Sequence, residues 1–140
     1  MTTYPERLEL FIEGIPAPQG SKRHVGGGRM IEMSKKLPAW RKAVEEALRE
    51  VAGDDPEPFQ PPVRVTAHFY LPRPRRSRYE GPYGPPDVDK LQRAIGDCLQ
   101  RAGVLTDDSH ITSWRTDKAW SDRTGARIVI EAISPEALAA

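Results

Sequence analysis

Leu8, Leu10 and Ile12 alternate with Arg7, Glu9 and Glu13, broken only by Phe11 on the polar side, so the chain opens with a half-buried strand. Gly14-Ile15-Pro16-Ala17-Pro18 ends it. From there to Ser34 the residues are rich in glycine, proline and basic side chains, and Gly26-Gly27-Gly28 removes any helical or strand preference, which predicts a mobile loop. Leu37, Trp40, Val44, Leu48 and Val51 then recur at three- and four-residue spacing. They predict a helix that has Pro38 in its first turn and ends near Gly53. After an acidic, proline-rich connector from Asp54 to Pro62, Val63, Val65, Ala67, Phe69 and Leu71 alternate with Arg64, Thr66, His68 and Tyr70, the clearest strand pattern in the chain.

Pro72 and Pro74 stop that strand and open a second loop running to Pro86. Val88, Leu91, Ala94, Ile95, Cys98, Leu99 and Ala102 define a second amphipathic helix, with Asp87 as its N-cap and Gly103 as its stop. Residues 111–120 and 126–133 are expected to form a hairpin around Ser121-Asp122-Arg123-Thr124-Gly125. The order strand, helix, strand, helix, strand, strand predicts an α+β fold: a small mixed β-sheet of about four strands covered by two main α-helices. With 140 residues and no internal repeat, one domain over residues 1–140 is expected, with flexible basic loops at 15–36 and 73–86.

A chain that is 38% hydrophobic and 29% charged, without an apolar run of about 18 residues, reads as globular rather than as a membrane protein. The first residues lack a secretion signal and Cys98 is the only cysteine, so a reducing cytoplasmic setting is expected. The net charge of +1 changes the picture less than its distribution does. Lys22, Arg23, Arg29, Lys35, Lys36, Arg41 and Lys42 stand against the single acid Glu32, and Arg73, Arg75, Arg76 and Arg78 form a second basic cluster. Acids collect at Glu45 to Glu57 and at Asp87 to Asp108. A phosphate-binding surface beside a metal site would segregate charge in this way, as would two solvated loops.

The chemistry-bearing segment is Pro85-Pro86-Asp87-Val88-Asp89-Lys90-Leu91, continued by Arg93, Asp97 and Thr106-Asp107-Asp108-Ser109. At 100° per residue, Asp89, Arg93 and Asp97 fall opposite the buried face of the second helix. Surface ion pairs at i,i+4 spacing account for such a strip equally well. A helix of this length spans roughly 20–25 Å, so Asp108 meets Asp87 only if the link doubles back along the helix or a second subunit supplies the partner. Carboxylates suit Mg²⁺ or Mn²⁺, and no His/Cys spacing favours zinc. His110 reads either as a water-orienting group or as a strand-edge histidine. Trp40 reads as core, while Trp114 and Trp120 are candidates for base stacking.

The run Asp-Val-Asp-Lys-Leu-Gln-Arg-Ala-Ile-Gly-Asp at 87–97, Leu-Thr-Asp-Asp-Ser-His-Ile at 105–111 and Lys118 together resemble the RusA family of Holliday-junction resolvases. Gly14-Ile15-Pro16-Ala17-Pro18-Gln19-Gly20 is similar to that family's opening. The resemblance implies that Asp87, Asp89 and Asp108, with Asp107 beside them, bind a catalytic Mg²⁺, for which Mn²⁺ would substitute. It also implies a homodimer that cuts a four-way DNA junction by paired symmetric nicks in recombination and repair. Lys90 stands where the family has Asn, and Arg93 where it has Lys. Arg93 would then offset phosphate charge without moving a proton. Lys22, Arg23, Arg29, Lys35, Lys36, Arg73, Arg75, Arg76, Arg78, Lys90 and Lys118 would bind DNA, largely through phosphates. Two rivals stay open: a nuclease for forks, flaps or duplex, and a DNA-binding protein without catalysis.

Overall fold

Strand β1 (Arg7–Glu13) leads into helix α1 (Arg29–Ala52), strand β2 (Val63–Leu71), helix α2 (Val88–Arg101), a 3-10 turn (Asp108–His110), and strands β3 (Ile111–Trp120) and β4 (Gly125–Ala132). This is a computed structural model that describes residues 5–20, 29–76 and 80–134, the side chains of 29–34 excepted. The four strands form one sheet in the order β1-β4-β2-β3. β4 is antiparallel to both β1 and β2, whereas β2 and β3 are parallel. The α+β class, the mixed four-stranded sheet and the two helices agree with the expectation from sequence.

The expected hairpin between the last two strands does not form, because β2 lies between them. Composition gives the reason. β2 alternates without a break, its odd positions from Val63 to Leu71 all buried, and β4 buries Ala126, Ile128 and Ile130. β3 carries Thr112, Ser113, Arg115, Asp117 and Lys118 and buries no residue fully, a pattern suited to a sheet edge. Gly125 makes the insertion of β4 possible: its φ of +152° and the 2.1 Å that would separate an added Cβ from the Ile12 carbonyl oxygen leave room for glycine alone.

α1 also departs from expectation. It begins at Arg29, so Pro38 lies inside the helix and Arg29, Lys35 and Lys36 stand on helix rather than in a loop reaching 36. Trp40, Val44 and Leu48 supply its buried stripe, as their spacing predicts. α2 buries Leu91, Ala94, Ile95, Cys98 and Leu99. Its end is closed by Val104 N–H donating to the Leu99 carbonyl (3.0 Å) and Gly103 N–H to that of Gln100 (3.1 Å), with Gly103 at φ +80°. Core side chains from the two helices and one sheet face form a single cluster. Among the described residues no helix is long and apolar enough to cross a membrane.

Candidate catalytic and nucleic-acid site

The pairing directions make β1, β2 and β3 mutually parallel, so the segments that follow all three leave the same end of the sheet. Hydrogen bonds knit them together there. Gln19 N–H donates to the Lys90 carbonyl (3.1 Å), Gly14 N–H to that of Thr124 (3.4 Å) and Ser121 N–H to that of Leu71 (2.9 Å). Lys118, half-buried on β3, donates its Nζ to the carbonyls of Gly84 (2.7 Å) and Pro86 (2.9 Å). It thereby anchors the chain immediately before Asp87, a positioning task that the sequence reading assigned instead to DNA contact.

At this end Arg73, Arg75 and Arg76 are exposed, and the Arg73 guanidinium lies 5.1 Å from the Trp120 ring centre. Arg123, which the sequence reading passed over, stacks on Phe11 at 4.0 Å and pairs with Glu13 at 3.0 Å. Its turn-like surroundings conceal a charge that only tertiary structure brings beside the other loops. Lys35 and Lys36 are exposed on α1. Lys22, Arg23 and Arg78, and the side chain of Arg29, lie outside the described residues.

Helix α2 starts here with unspent polar capacity. Asp87 occupies the N-cap with extended backbone (φ −71°, ψ 142°), yet its side chain makes no cap hydrogen bond and faces Lys90 at 3.8 Å. Asp89 and Arg93 are exposed and form no ion pair among the described residues, so the i,i+4 pairing that would make the strip a mere solvated face is absent. Asp97, the third residue of that strip, is paired with Arg41 of α1 at 3.5 Å. That contact clamps the helices together.

The second acidic pair sits elsewhere. Asp107 caps the 3-10 turn, its Oδ1 accepting from Ser109 N–H at 2.9 Å, and this hydrogen bond is the leading reason its carboxyl is held below the usual range. Asp108 N–H donates to Gln100 Oε1 at 3.0 Å, drawing the turn back against α2. At Gly96 an added Cβ would lie 3.8 Å from the Asp108 Cβ and 3.6 Å from Ile111 and Trp114. Desolvation, followed by the hydrogen bond and charge of Asp107 and then the charge of Asp97, pushes the Asp108 carboxyl up. A cation would relieve that crowding of like charges.

The link therefore returns along the helix as the reach argument requires, but only as far as Gly96. That residue is about 10 Å along the axis from Asp89, whose side chain leans the other way, toward the helix start. Among the described residues no three His, Cys, Asp or Glu side chains come close enough to share a metal ion. The oxygen-only donors match Mg²⁺ in chemistry, while their placement within one chain does not gather Asp87, Asp89 and Asp108. His110 is half-buried with Nδ1 lacking a partner. Trp40 is core and Trp114 half-buried. Cys98 is no nucleophile: burial above all pushes its thiol up to about 12.

A family model described as "Endodeoxyribonuclease RusA" matches residues 12–131, from β1 into β4 and across every aspartate discussed. The class so defined is that of an endodeoxyribonuclease, an enzyme that breaks phosphodiester bonds within DNA. One relative, "Crossover junction endodeoxyribonuclease RusA" of Aquifex aeolicus (strain VF5), is 25% identical over 118 residues, which cover 84% of this chain and 85% of its own. The chain belongs to the RusA family.

Proposed function

We propose that this enzyme is a Mg²⁺-dependent resolvase of four-way DNA junctions, acting as a homodimer with two sites in cytoplasmic recombination and repair. The observation that carries the reading is the start of α2, where Asp89 and Arg93 form no ion pair among the described residues and Asp87 meets only Lys90 at 3.8 Å, at the sheet end that also presents Arg73, Arg75 and Arg76. The name of the Aquifex relative supports the junction as substrate.

Asp87, Asp89 and Asp108 would hold the ion. When bound, Mg²⁺ supplies Lewis acidity at the scissile phosphate and acidifies an attacking water. Arg93 offsets charge on the phosphate and, as a permanently charged guanidinium, takes no part in proton transfer. Lys118 keeps the Gly84–Pro86 approach in place, so Asp87 is presented from a fixed backbone. The exposed arginines grip DNA arms through phosphates, which favours recognition of shape over sequence.

Purified protein incubated with a mobile junction and with a duplex of matched sequence, in Mg²⁺ or EDTA, tests the reading. Paired nicks in the junction that depend on Mg²⁺ are expected. Equal cutting of duplex, forks or flaps would reassign the substrate, and binding without cleavage would remove the catalytic reading.

A further inference from the structure

The segment between β2 and α2, residues 72–86, is fastened to β3 at both ends. Its far end is held by Lys118 Nζ, which donates to the carbonyls of Gly84 and Pro86 just before Asp87. Its near end follows Leu71, whose carbonyl receives the Ser121 N–H at 2.9 Å, and the Arg73 guanidinium lies over the Trp120 ring at 5.1 Å. In the register of the two strands Lys118 pairs with Phe69 and Trp120 with Leu71. Both β2 residues are buried, so both β3 side chains stand on the face of the sheet that the helices cover. Trp120 is about 7 Å further along the strand than Lys118. One strand therefore fixes the Arg73 guanidinium and the start of α2 relative to each other.

The arginines at this end of the sheet are not equivalent. Arg123 also lies over a ring, that of Phe11 at 4.0 Å, but Glu13 at 3.0 Å offsets its charge. Arg75 and Arg76 are exposed, and among the described residues they lie over no ring and form no ion pair. Arg73 combines what the others divide: an aromatic support and a charge that no carboxylate among the described residues neutralises.

Stacking and hydrogen bonding use different parts of a guanidinium. The ring attracts its flat face, and the planar edge keeps its N–H groups for phosphate oxygens. A group ordered before DNA arrives holds a strand in one place, whereas a group that must be ordered on binding contributes charge without geometry. The half-buried Trp120 is thus accounted for by what it supports, and the face it offers to Arg73 is taken by that guanidinium.

We propose that Trp120 is a positioning residue for strand cleavage: its ring holds Arg73 where the guanidinium grips a phosphate neighbouring the scissile one and sets the strand against the start of α2, while Arg75 and Arg76 add affinity alone. This rests on the nuclease reading above and specifies which basic group aligns the strand.

The test separates rate from affinity. Single-turnover cleavage of a mobile junction in Mg²⁺ is measured at saturating protein, with junction binding in EDTA alongside it. Arg73→Ala should lower the saturated rate on the order of 10-fold, beyond its loss of affinity. Trp120→Leu keeps apolar bulk but offers no π face, and it should slow cleavage as far as Arg73→Ala does. Trp120→Phe restores an aromatic face and should recover most of the rate. The double variant W120L/R73A should be no slower than R73A, whereas W120L/R75A should show the product of its two single losses, because only Arg73 acts through the ring. A W120L variant as fast as the parent, equal slowing by Leu and Phe, or multiplied losses in W120L/R73A would overturn the inference. Arg73→Ala changes an exposed side chain, so an unchanged saturated rate there overturns it even where a Trp120 variant fails to fold. Wild-type protein that leaves junctions uncut would overturn the nuclease reading and this inference with it, while wild-type cleavage beside any of the former results overturns this inference alone.

Discussion

The two ends of α2 are built on different principles. At its end the backbone is closed on itself: Gly103 turns the chain with positive φ, the carbonyls of Leu99 and Gln100 receive the Val104 and Gly103 N–H groups, and Asp107 caps the next turn. At its start, Asp87 sits in the cap position without making the cap bond and meets Lys90 at 3.8 Å, and Asp89 and Arg93 have no ion-pair partner among the described residues. Capping bonds are worth about 1 kcal/mol, so a start that forgoes one holds carboxylates ready for something other than the helix. On the proposed reading, the difference separates residues that maintain the fold from residues kept available for chemistry.

The largest expected effect falls on the carboxylates proposed to hold the ion, two at the start of α2 and one in the turn that follows its end. Asp87→Asn, Asp89→Asn and Asp108→Asn each keep shape and remove ligand charge, so junction cleavage should drop at least ~100-fold while binding in EDTA persists. Near-normal rates in any two would dissolve the contrast between the ends. Asp108→Asn should also leave metal-free stability equal or higher at pH 7. The folded protein holds that carboxyl above its unfolded pKa, so ionisation disfavours the fold as pH rises through this window, and the gain should vanish at a pH below both values. Thermal melts of variant and parent at several pH values would show the crossover.

Next comes Arg93. Arg93→Ala should slow cleavage on the order of 10-fold, and Arg93→Lys should retain the rate, since only a positive charge near the phosphate is required. An alanine variant as fast as the parent would move Arg93 out of the site. At the other end of the helix, Gly103→Ala should cost about 1 kcal/mol in urea unfolding through its φ of +80°, with cleavage by the folded fraction unchanged. The smallest effect is expected in the Gly96 region. An added methyl there meets Ile111, Trp114 and Asp108 only at ordinary contact distances, so Gly96→Ala should stabilise by up to about 1 kcal/mol through helix propensity. A loss of stability would mean that the return of the 3-10 turn against α2 is tighter than described.

Local periodicity made β2 and α2 legible from sequence because one face of each is buried along its whole length. The start of α1 was not, since Pro38 reads as a first-turn residue and the turns before it follow directly on a glycine-rich basic stretch. The position of β3 escaped for another reason: adjacency along the chain favours a hairpin, whereas the sheet ranks strands by how much apolar surface each must bury. Asp87 and Asp89 stood out by spacing, as did the obstacle to their meeting Asp108. The Asp97–Arg41 clamp could not be read, because nothing local tells which helix face meets α1.

β4 occupies an interior place in the sheet although it is the last strand among the described residues. During synthesis β1 and β2 therefore emerge without the strand that must lie between them, and neither α1 nor α2 has a completed surface to cover. Each has to wait as a partly exposed apolar segment until residues 125–132 clear the ribosome. Closure then requires contacts of high sequence separation, β1 with β4 above all, which makes folding slow relative to a helical protein of equal length. A nascent chain stalled before Gly125 is accordingly the form that leaves the most apolar surface of β1, β2 and the helices uncovered.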